Sequence, residues 1–265
     1  YGAKIHLNSE VKRIITEGRK AIGIELKNGE INYADFVVIN ADFSYSMLNL
    51  VDKNLVKKYS EENLKKNKYS CSTFMLYLCL DKLFHIPHHN IVFGESYKKH
   101  VDDIFVNYKL PDDLSFYIQN ACITDPSLAP KGKSTLYVLV PVSNLRANID
   151  WNKEKKNFRD SVIEQIKQKT ELKDLDQHII CEKIVTPLDW HNDFNVYIGA
   201  TFNLAHNLSQ MLYFRPHNEF ECLENVYLVG GGTHPGSGLP TIYESGRISA
   251  NLILDKIKKM KNKNN

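Results

Sequence analysis

The chain has no run of about eighteen apolar residues that could cross a bilayer as a helix. It has no marked excess of one charge either. Lys and Arg number 34 against 31 Asp and Glu, a net charge of +3, whereas a nucleic-acid-binding protein carries a clear basic surplus; nucleic acid is not an expected partner. Cysteine is scarce. Cys71, Cys79, Cys122, Cys181 and Cys222 include no C-x-x-C pair and are odd in number, which gives neither zinc-ligand spacing nor a disulfide framework. They read as small apolar fillers in a reducing compartment. His85, His88 and His89 gather around Pro87 in a loop-like stretch without an acidic or cysteine partner at ligand spacing, so no metal is expected. Internal repeats are absent, and the Lys/Asn-rich tail from 256 to 265 reads as a solvated end. The first residue, Tyr1, already lies in strand-like sequence with neither a Met nor a signal peptide. The expectation is a C-terminal portion of a longer protein.

What is present is a core-forming chain. Hydrophobic residues make up 43% of 265, enough for one large domain or two small ones. Ile5 and Leu7, then Val11, Ile14 and Ile15, then Ile22, Ile24 and Leu26 alternate as antiparallel strands do, and Asn28-Gly29 is a two-residue hairpin signal. Phe36 to Ile39 is a continuous apolar run, as in a strand covered on both faces, and it ends in Asn40-Ala41-Asp42. Residues 43–70 predict a lysine-rich helix with Leu48, Leu50, Val51, Leu55 and Val56 as its stripe. It suits a solvated face or, with Lys57, Lys58, Lys65 and Lys66 toward anionic lipid, a membrane surface. Ser72 to Leu80 is a strand apolar on both faces, which calls for cover on both sides or an apolar tunnel. Further strands are expected at Phe116–Ile118, Leu136–Val142 and Gln177–Val185. A helix is expected after Asp150 with Phe158, Val162, Ile163 and Ile166 inward, and another beginning at Pro187.

The most distinctive stretch lies near the end. Asn225-Val226-Tyr227-Leu228-Val229 reads as a short buried strand, Gly230-Gly231-Gly232-Thr233-His234-Pro235-Gly236-Ser237-Gly238-Leu239-Pro240 as a glycine turn entering a helix from about Thr241 to Lys258. Ser245, Gly246, Ser249 and Ala250 give that helix a side for close packing. Free N–H groups and the positive end of the helix dipole would suit an electron-rich ligand.

The wording of this stretch, followed by Glu244-Ser245-Gly246-Arg247-Ile248-Ser249, resembles the C-terminal flavin-binding signature of the bacterial and fungal carotenoid (phytoene-type) desaturases. A second block is similar to the same family: Gly199-Ala200-Thr201-Phe202-Asn203-Leu204-Ala205-His206-Asn207, Gln210, then Tyr213-Phe214-Arg215-Pro216-His217-Asn218. The likeness extends to Ser72–Asp81, Leu136–Asn144 and Asp150-Trp151, and so spans nearly the whole chain.

The resemblance implies a mixed α/β fold. Residues 1–41 and 221–265 would be two pieces of an FAD-binding, Rossmann-like domain, and 42–220 an inserted substrate domain built on an antiparallel sheet. It implies FAD as cofactor and an acyclic C30 or C40 polyene precursor as substrate. Desaturation needs a hydride acceptor that no side chain supplies, and repeated desaturation needs smooth apolar walls along which the substrate slides. Val11, Asn40, Ala41, Gly231, Gly232, Thr233, Gly238, Leu239 and Pro240 are the expected cofactor-binding residues, with Phe214 and Arg215 toward substrate. Arg215 is also suited to a carboxylate partner such as Glu244, and His234 to bonding the turn backbone or to base catalysis; no catalytic residue is assigned. The N-terminal G-x-G-x-x-G cradle for the pyrophosphate is missing. A polyene isomerase or saturase of the same architecture, and a non-catalytic module for apolar lipid, remain as alternatives. The expected location is cytoplasmic and peripheral on the membrane, because such a substrate must be drawn from the bilayer. The oligomeric state is left open.

Overall fold

A computed structural model of the protein describes residues 2–263. Strand β1 (Val11–Glu17) and β2 (Lys20–Leu26) form an antiparallel hairpin, and β3 (Ile31–Tyr33) joins β2 across the Asn28-Gly29 turn, where the Asn28 side chain accepts the Glu30 N–H. There follow β4 (Val37–Ile39), α1 (Phe43–Asn49), α2 (Glu61–Lys66), β5 (Ser72–Leu80), β6 (His89–Val92), α3 (Tyr97–Phe105), β7 (Phe116–Gln119) and β8 (Ser134–Val142). Then come α4 (Trp151–Lys169), β9 (Ile179–Val185), α5 (Pro187–Phe194), β10 (Val226–Leu228) and α6 (Leu239–Lys263). Caps fall where the sequence puts them. Asp150 accepts the Asn152 N–H at the start of α4, and Thr186 with Asp189 forms a capping box before Pro187 at the start of α5.

The chain divides into two compact units, one of the residues up to Ser70 together with those from Phe202 on, the other Cys71–Thr201. In the first, the two ends of the chain meet: β4 and β10 pair in parallel, Val37 with Val226 through Ile39 with Leu228. The boundaries expected at 41/42 and 220/221 fall inside this unit. Asp42 caps α1, whose Phe43 and Met47 are buried. Phe43 packs edge-on against Tyr59, and Tyr59 stacks on Phe220. Residues 42–70 and 202–220 therefore share one core with the terminal pieces.

Three other expectations change. Residues 2–10 form no strand, and Ile5 and Leu7 are exposed. Residues 43–70 are not one helix but two short ones separated by bends and a single 3₁₀ turn at Lys57–Tyr59. Their stripe does not face outward: Leu50, Val51 and Val56 are core residues, while Lys65 and Lys66 pair with Glu61 and Glu62 one turn back. The tail beyond 258 continues as helix to Lys263, and its last two residues lie outside the described ones.

The second unit is a five-stranded antiparallel sheet in the order β6-β7-β8-β5-β9. Phe74, Leu76, Leu78 and Leu80 of β5, with Leu136, Val138, Val140 and Val142 of β8, point to one face and are fully buried beneath Phe158, Val162, Ile163 and Ile166 of α4. The other face is half covered: Met75 is buried, but Tyr77, Cys79, Tyr117, Thr135, Tyr137 and Leu139 keep access to solvent. There Tyr77 and Tyr117 each meet Tyr137 edge-on. Strand β5 thus lies between a core and an open aromatic face. Strand β6 begins within the stretch read as a histidine loop; His88 and His89 bond Thr124 and Tyr117. Among the described residues no three potential ligands cluster as a metal site would require. Of the cysteines, Cys122 is a buried filler, but Cys181 is exposed.

Candidate functional site

The parallel strands β4 and β10 end side by side, with the Val229 N–H on Ile39 O at 3.0 Å. Beyond β4 come Asn40 and Ala41, and beyond β10 the glycine turn. Asn40 Oδ1 lies 3.1 Å from the point where a Cβ on Gly230 would stand. The carboxyl ends of neighbouring parallel strands are where α/β sheets bind ligands, and here both expected segments arrive together.

The inner half of the turn is held by Arg215. This side chain is 1% exposed. Its Nε–H donates to Thr233 O at 3.2 Å, one terminal nitrogen to Gln210 O at 3.2 Å, and the other to Leu204 O at 3.2 Å and to Gly231 O. Only a planar guanidinium offers donors in so many directions at once. Burial pulls its pKa down to about 10, which still leaves it charged at neutral pH. The carboxylate expected for it, Glu244, pairs instead with Arg247, three residues on along α6.

Other residues of the Phe202–Asn218 block brace the same turn. Asn218 Nδ2 donates to Leu228 O, His234 O and Ser245 O. The Thr233 hydroxyl and the His234 N–H both donate to Pro216 O. Asn203 Nδ2 donates to Asp42 Oδ2 at 2.6 Å, and a Cβ on Gly232 would meet Phe43 Cβ at 2.7 Å and Asn203 Oδ1 at 2.8 Å; only glycine fits there. His206 Nε2 accepts the Ser237 N–H at 3.1 Å, and burial, then the charge of Arg215, lower its pKa. From α6, Ser245 Oγ accepts the Gly230 N–H and Ser249 Oγ donates to Leu228 O. The small-residue side of the helix thus bonds the end of the strand.

The outer half faces away. Gly238, Leu239 and Pro240 are exposed, Leu239 to 72%, at the N-terminus of the 25-residue α6, and Asn40 and Ala41 are exposed beside the strand ends. A Cβ on Gly238, whose φ is +112°, would meet only Thr241 Oγ1, at 3.4 Å. This open, uncharged rim at a positive helix end fits one edge of a flat electron-rich ring. The expected cofactor residues therefore separate. Asn40, Ala41, Gly238, Leu239 and Pro240 are presented, whereas Gly232 and Thr233 are buried and the carbonyls of Gly231 and Thr233 are taken by Arg215. Val11 is half buried in a different sheet and is not among the residues gathered at the turn. His234 joins the brace through its main chain: its N–H donates to Pro216 O and its carbonyl accepts from Asn218 Nδ2.

Phe214 is 70% exposed and, with Arg215, lines a cleft of about 430 Å³ shared with Tyr213, His217, Lys58 and Glu221. Arg215's guanidinium is spent on the turn. Glu221 accepts from Lys58 Nζ at 2.7 Å and from the Tyr59 hydroxyl. Burial would raise the Glu221 pKa, but these two donors take it below the usual range, while burial and then Glu221 push the Tyr59 phenol up. Sequence reading missed this trio because Glu221 is more than 160 residues from its partners.

The chain matches the family model of flavin-containing amine oxidoreductases over residues 1–254. It belongs to that family. It is 55% identical over 255 residues to a 4,4'-diapophytoene desaturase (4,4'-diapolycopene-forming) of Methylomonas sp., covering 96% of this chain and 50% of that protein. It is 39% identical over 256 residues to an all-trans-zeta-carotene desaturase of Myxococcus xanthus, at 95% and 48% coverage, and 36% identical over 255 residues to a lycopene-forming phytoene desaturase of a Paracoccus strain, at 96% and 51%. The chain thus spans about half the length of these relatives. Among solved structures, an oxidoreductase from Methanosarcina mazei superposes with a TM-score of 0.58 at 17% identity, over 91% of this chain and 48% of that one, which supports the mixed α/β fold.

Two measurements test the brace. Arg215→Met removes the donor to four carbonyls, two of them buried, and should cost about 3–5 kcal/mol in denaturant unfolding; a loss under about 1 kcal/mol would show that the turn holds without it. His206 is bound in its neutral form with a lowered pKa. The unfolded chain therefore takes up its proton first as pH falls, and this contribution to stability is complete above about pH 6.5 and declines below it. His206→Asn should flatten the fall in melting temperature between pH 7.5 and 5; an unchanged profile would remove His206 from the account.

Proposed function

We propose that the whole protein is an FAD-dependent desaturase of an acyclic carotenoid precursor of the phytoene or diapophytoene type. The observation that carries this reading is the presented rim of Asn40, Ala41, Gly238, Leu239 and Pro240 in a chain 55% identical to a diapophytoene desaturase. FAD bound at this rim would supply the hydride acceptor that side chains lack. The chain's own part is to hold the turn rigid from behind through Arg215 and to offer apolar Leu239 and Pro240 that keep water from the bound ring. In the second unit, the face of Tyr77, Tyr117, Tyr137 and Leu139 is apolar and aromatic, and includes a hollow of about 190 Å³ between β5 and β8. Such a face suits a polyene that must shift between successive desaturations, since dispersion contacts are weak singly and many together.

The test uses the full-length protein with FAD and C30 and C40 precursors, read by mass spectrometry. Each turnover should remove two hydrogens from one of them. Unchanged mass with altered double-bond geometry would mean an isomerase, and a gain of hydrogens a saturase; either result would overturn the reading. Because Leu239 is exposed, Leu239→Glu should leave the melting temperature of the flavin-free protein unchanged while lowering retained flavin at least tenfold. Flavin content equal to wild type would place the ring elsewhere.

A substrate of this kind resides in the bilayer, so the proposal includes peripheral membrane contact. Among the described residues no helix is long and apolar enough to cross a membrane. Exposed Phe93, Tyr97, Phe105 and Val106 on one short stretch supply an apolar surface, where Lys98 pairs with Asp102 and Lys99 with Asp103 and Asp112. Tyr97 and Phe105 are two turns apart on one face of α3. Flotation with anionic vesicles should fall clearly for the triple variant Phe93→Ser, Phe105→Ser, Val106→Ser; equal flotation would rule this surface out.

A further inference from the structure

Cys79 and Cys181 are 102 positions apart in sequence yet stand directly opposite each other on the antiparallel strands β5 and β9. Directly opposed residues in such a ladder have Cα atoms about 4.5–5.5 Å apart with side chains on the same face, inside the range that a disulfide spans. The two thiols lie on the open face of the sheet, where Cys181 is exposed and Cys79 half buried at the wall of the hollow that Tyr77 and Tyr137 share. The pairing slips next to them, from Cys79–Cys181 to Leu80–Ile179. The pair thus borders a bulge, where the backbone accommodates the small adjustment that bond formation requires. Strand β9 is also the edge strand of this sheet among the described residues. Cys122, by contrast, is buried with its sulfur near the Thr135 hydroxyl.

We propose that Cys79 and Cys181 form a redox-active pair that closes to a cross-strand disulfide by exchange with a small-molecule disulfide such as oxidised glutathione. The exposed Cys181 thiolate attacks one sulfur of glutathione disulfide, the glutathione S–S bond breaks, and one glutathione leaves as thiolate. Cys79 then loses its proton and attacks the Cys181 sulfur of the mixed disulfide, expelling the second glutathione. Two protein thiols give up two electrons and two protons, and one glutathione disulfide becomes two glutathiones. Cys79 is half buried, and the neighbouring Cys181 thiol and then burial hold its thiol above the usual range; it therefore takes the second role, that of the resolving thiol, and the exposed Cys181 makes the first attack. The closed bond would fasten the edge strand β9 to its neighbour β5 beside the aromatic hollow.

The experiment incubates the native full-length protein with oxidised glutathione, alkylates the remaining thiols, and maps peptides without reduction. Over the 265 residues of this chain, free thiols should fall from five to three, with one new peptide linking Cys79 to Cys181 and full reversal by dithiothreitol. In Cys79→Ser the resolving thiol is gone, so a glutathione adduct should persist on Cys181. A wild-type protein that keeps all five thiols, that keeps a stable adduct on Cys181, or that links other cysteines would overturn the pairing. Because the wild-type map decides the matter, the result does not depend on the variant folding.

Discussion

A single buried cation sets the geometry of the first unit. Arg215 brings its guanidinium out of water with no carboxylate beside it among the described residues, and four main-chain carbonyls stand in for the anion. Desolvating a charge is costly unless every donor finds a partner, so the carbonyls of Leu204, Gln210, Gly231 and Thr233 are fixed with respect to one another. Two belong to the segment returning from the second unit, and two to the glycine turn. One side chain therefore ties together stretches that hydrophobic burial alone would leave free to slide, since the apolar contribution is non-directional. Glycine at 232 belongs to the same arrangement, because any Cβ there would strike Phe43 or Asn203.

The parallel pairing of β4 with β10 supplies the other constraint. Its partners lie almost two hundred residues apart, with the whole Cys71–Thr201 unit between them in sequence. The entropy of closing so long a loop grows only with the logarithm of its length, and the intervening unit has its own core of Phe74, Leu76, Val138, Val162 and Ile166. Within the first unit the two chain crossings are joined: the Phe202 N–H donates to Ser70 Oγ and the Ser70 N–H to Asn203 O. The insertion leaves and re-enters at one place, so the strand pair is not disturbed by what is inserted.

Much of this was legible in the sequence. Period-two alternation located β1 and β2, and apolar runs located β5 and β8. Asn28-Gly29 gave the hairpin, and Asp150 and Thr186-Pro187 gave two helix starts, because each of these signals acts over a few residues. Segment 43–70 was misread because its apolar positions fit a helical stripe by spacing but are buried in different directions by two short helices and a bend. The unit boundaries were misplaced because they are set by Phe43, Tyr59 and Phe220, whose contacts are tertiary. At the turn, glycine content marked the site, but could not tell which residues face inward. That depends on Arg215, read toward substrate or a carboxylate and found against the backbone. The Cys79–Cys181 pair was invisible for the same reason, since strand register, not spacing along the chain, brings the two together.

The division of the turn into a braced half and a presented half has an electrostatic consequence. Arg215 is closed off from solvent, so its charge is poorly screened, and its effect already reaches His206, whose protonation it disfavours. The N-terminus of α6 adds a further partial positive charge near Leu239. Both act on the outer rim through a backbone that cannot reorient, because its carbonyls and several N–H groups are already committed. On the proposed reading, the reaction delivers a hydride, and with it negative charge, to a ring at that rim. Fixed positive potential supplied from behind would favour that transfer without placing an ionised side chain against a hydrocarbon substrate. Apolar contact and electrostatic assistance can then act at one site, with the charge on the buried side of the turn and the uncharged Gly238, Leu239 and Pro240 on the open side.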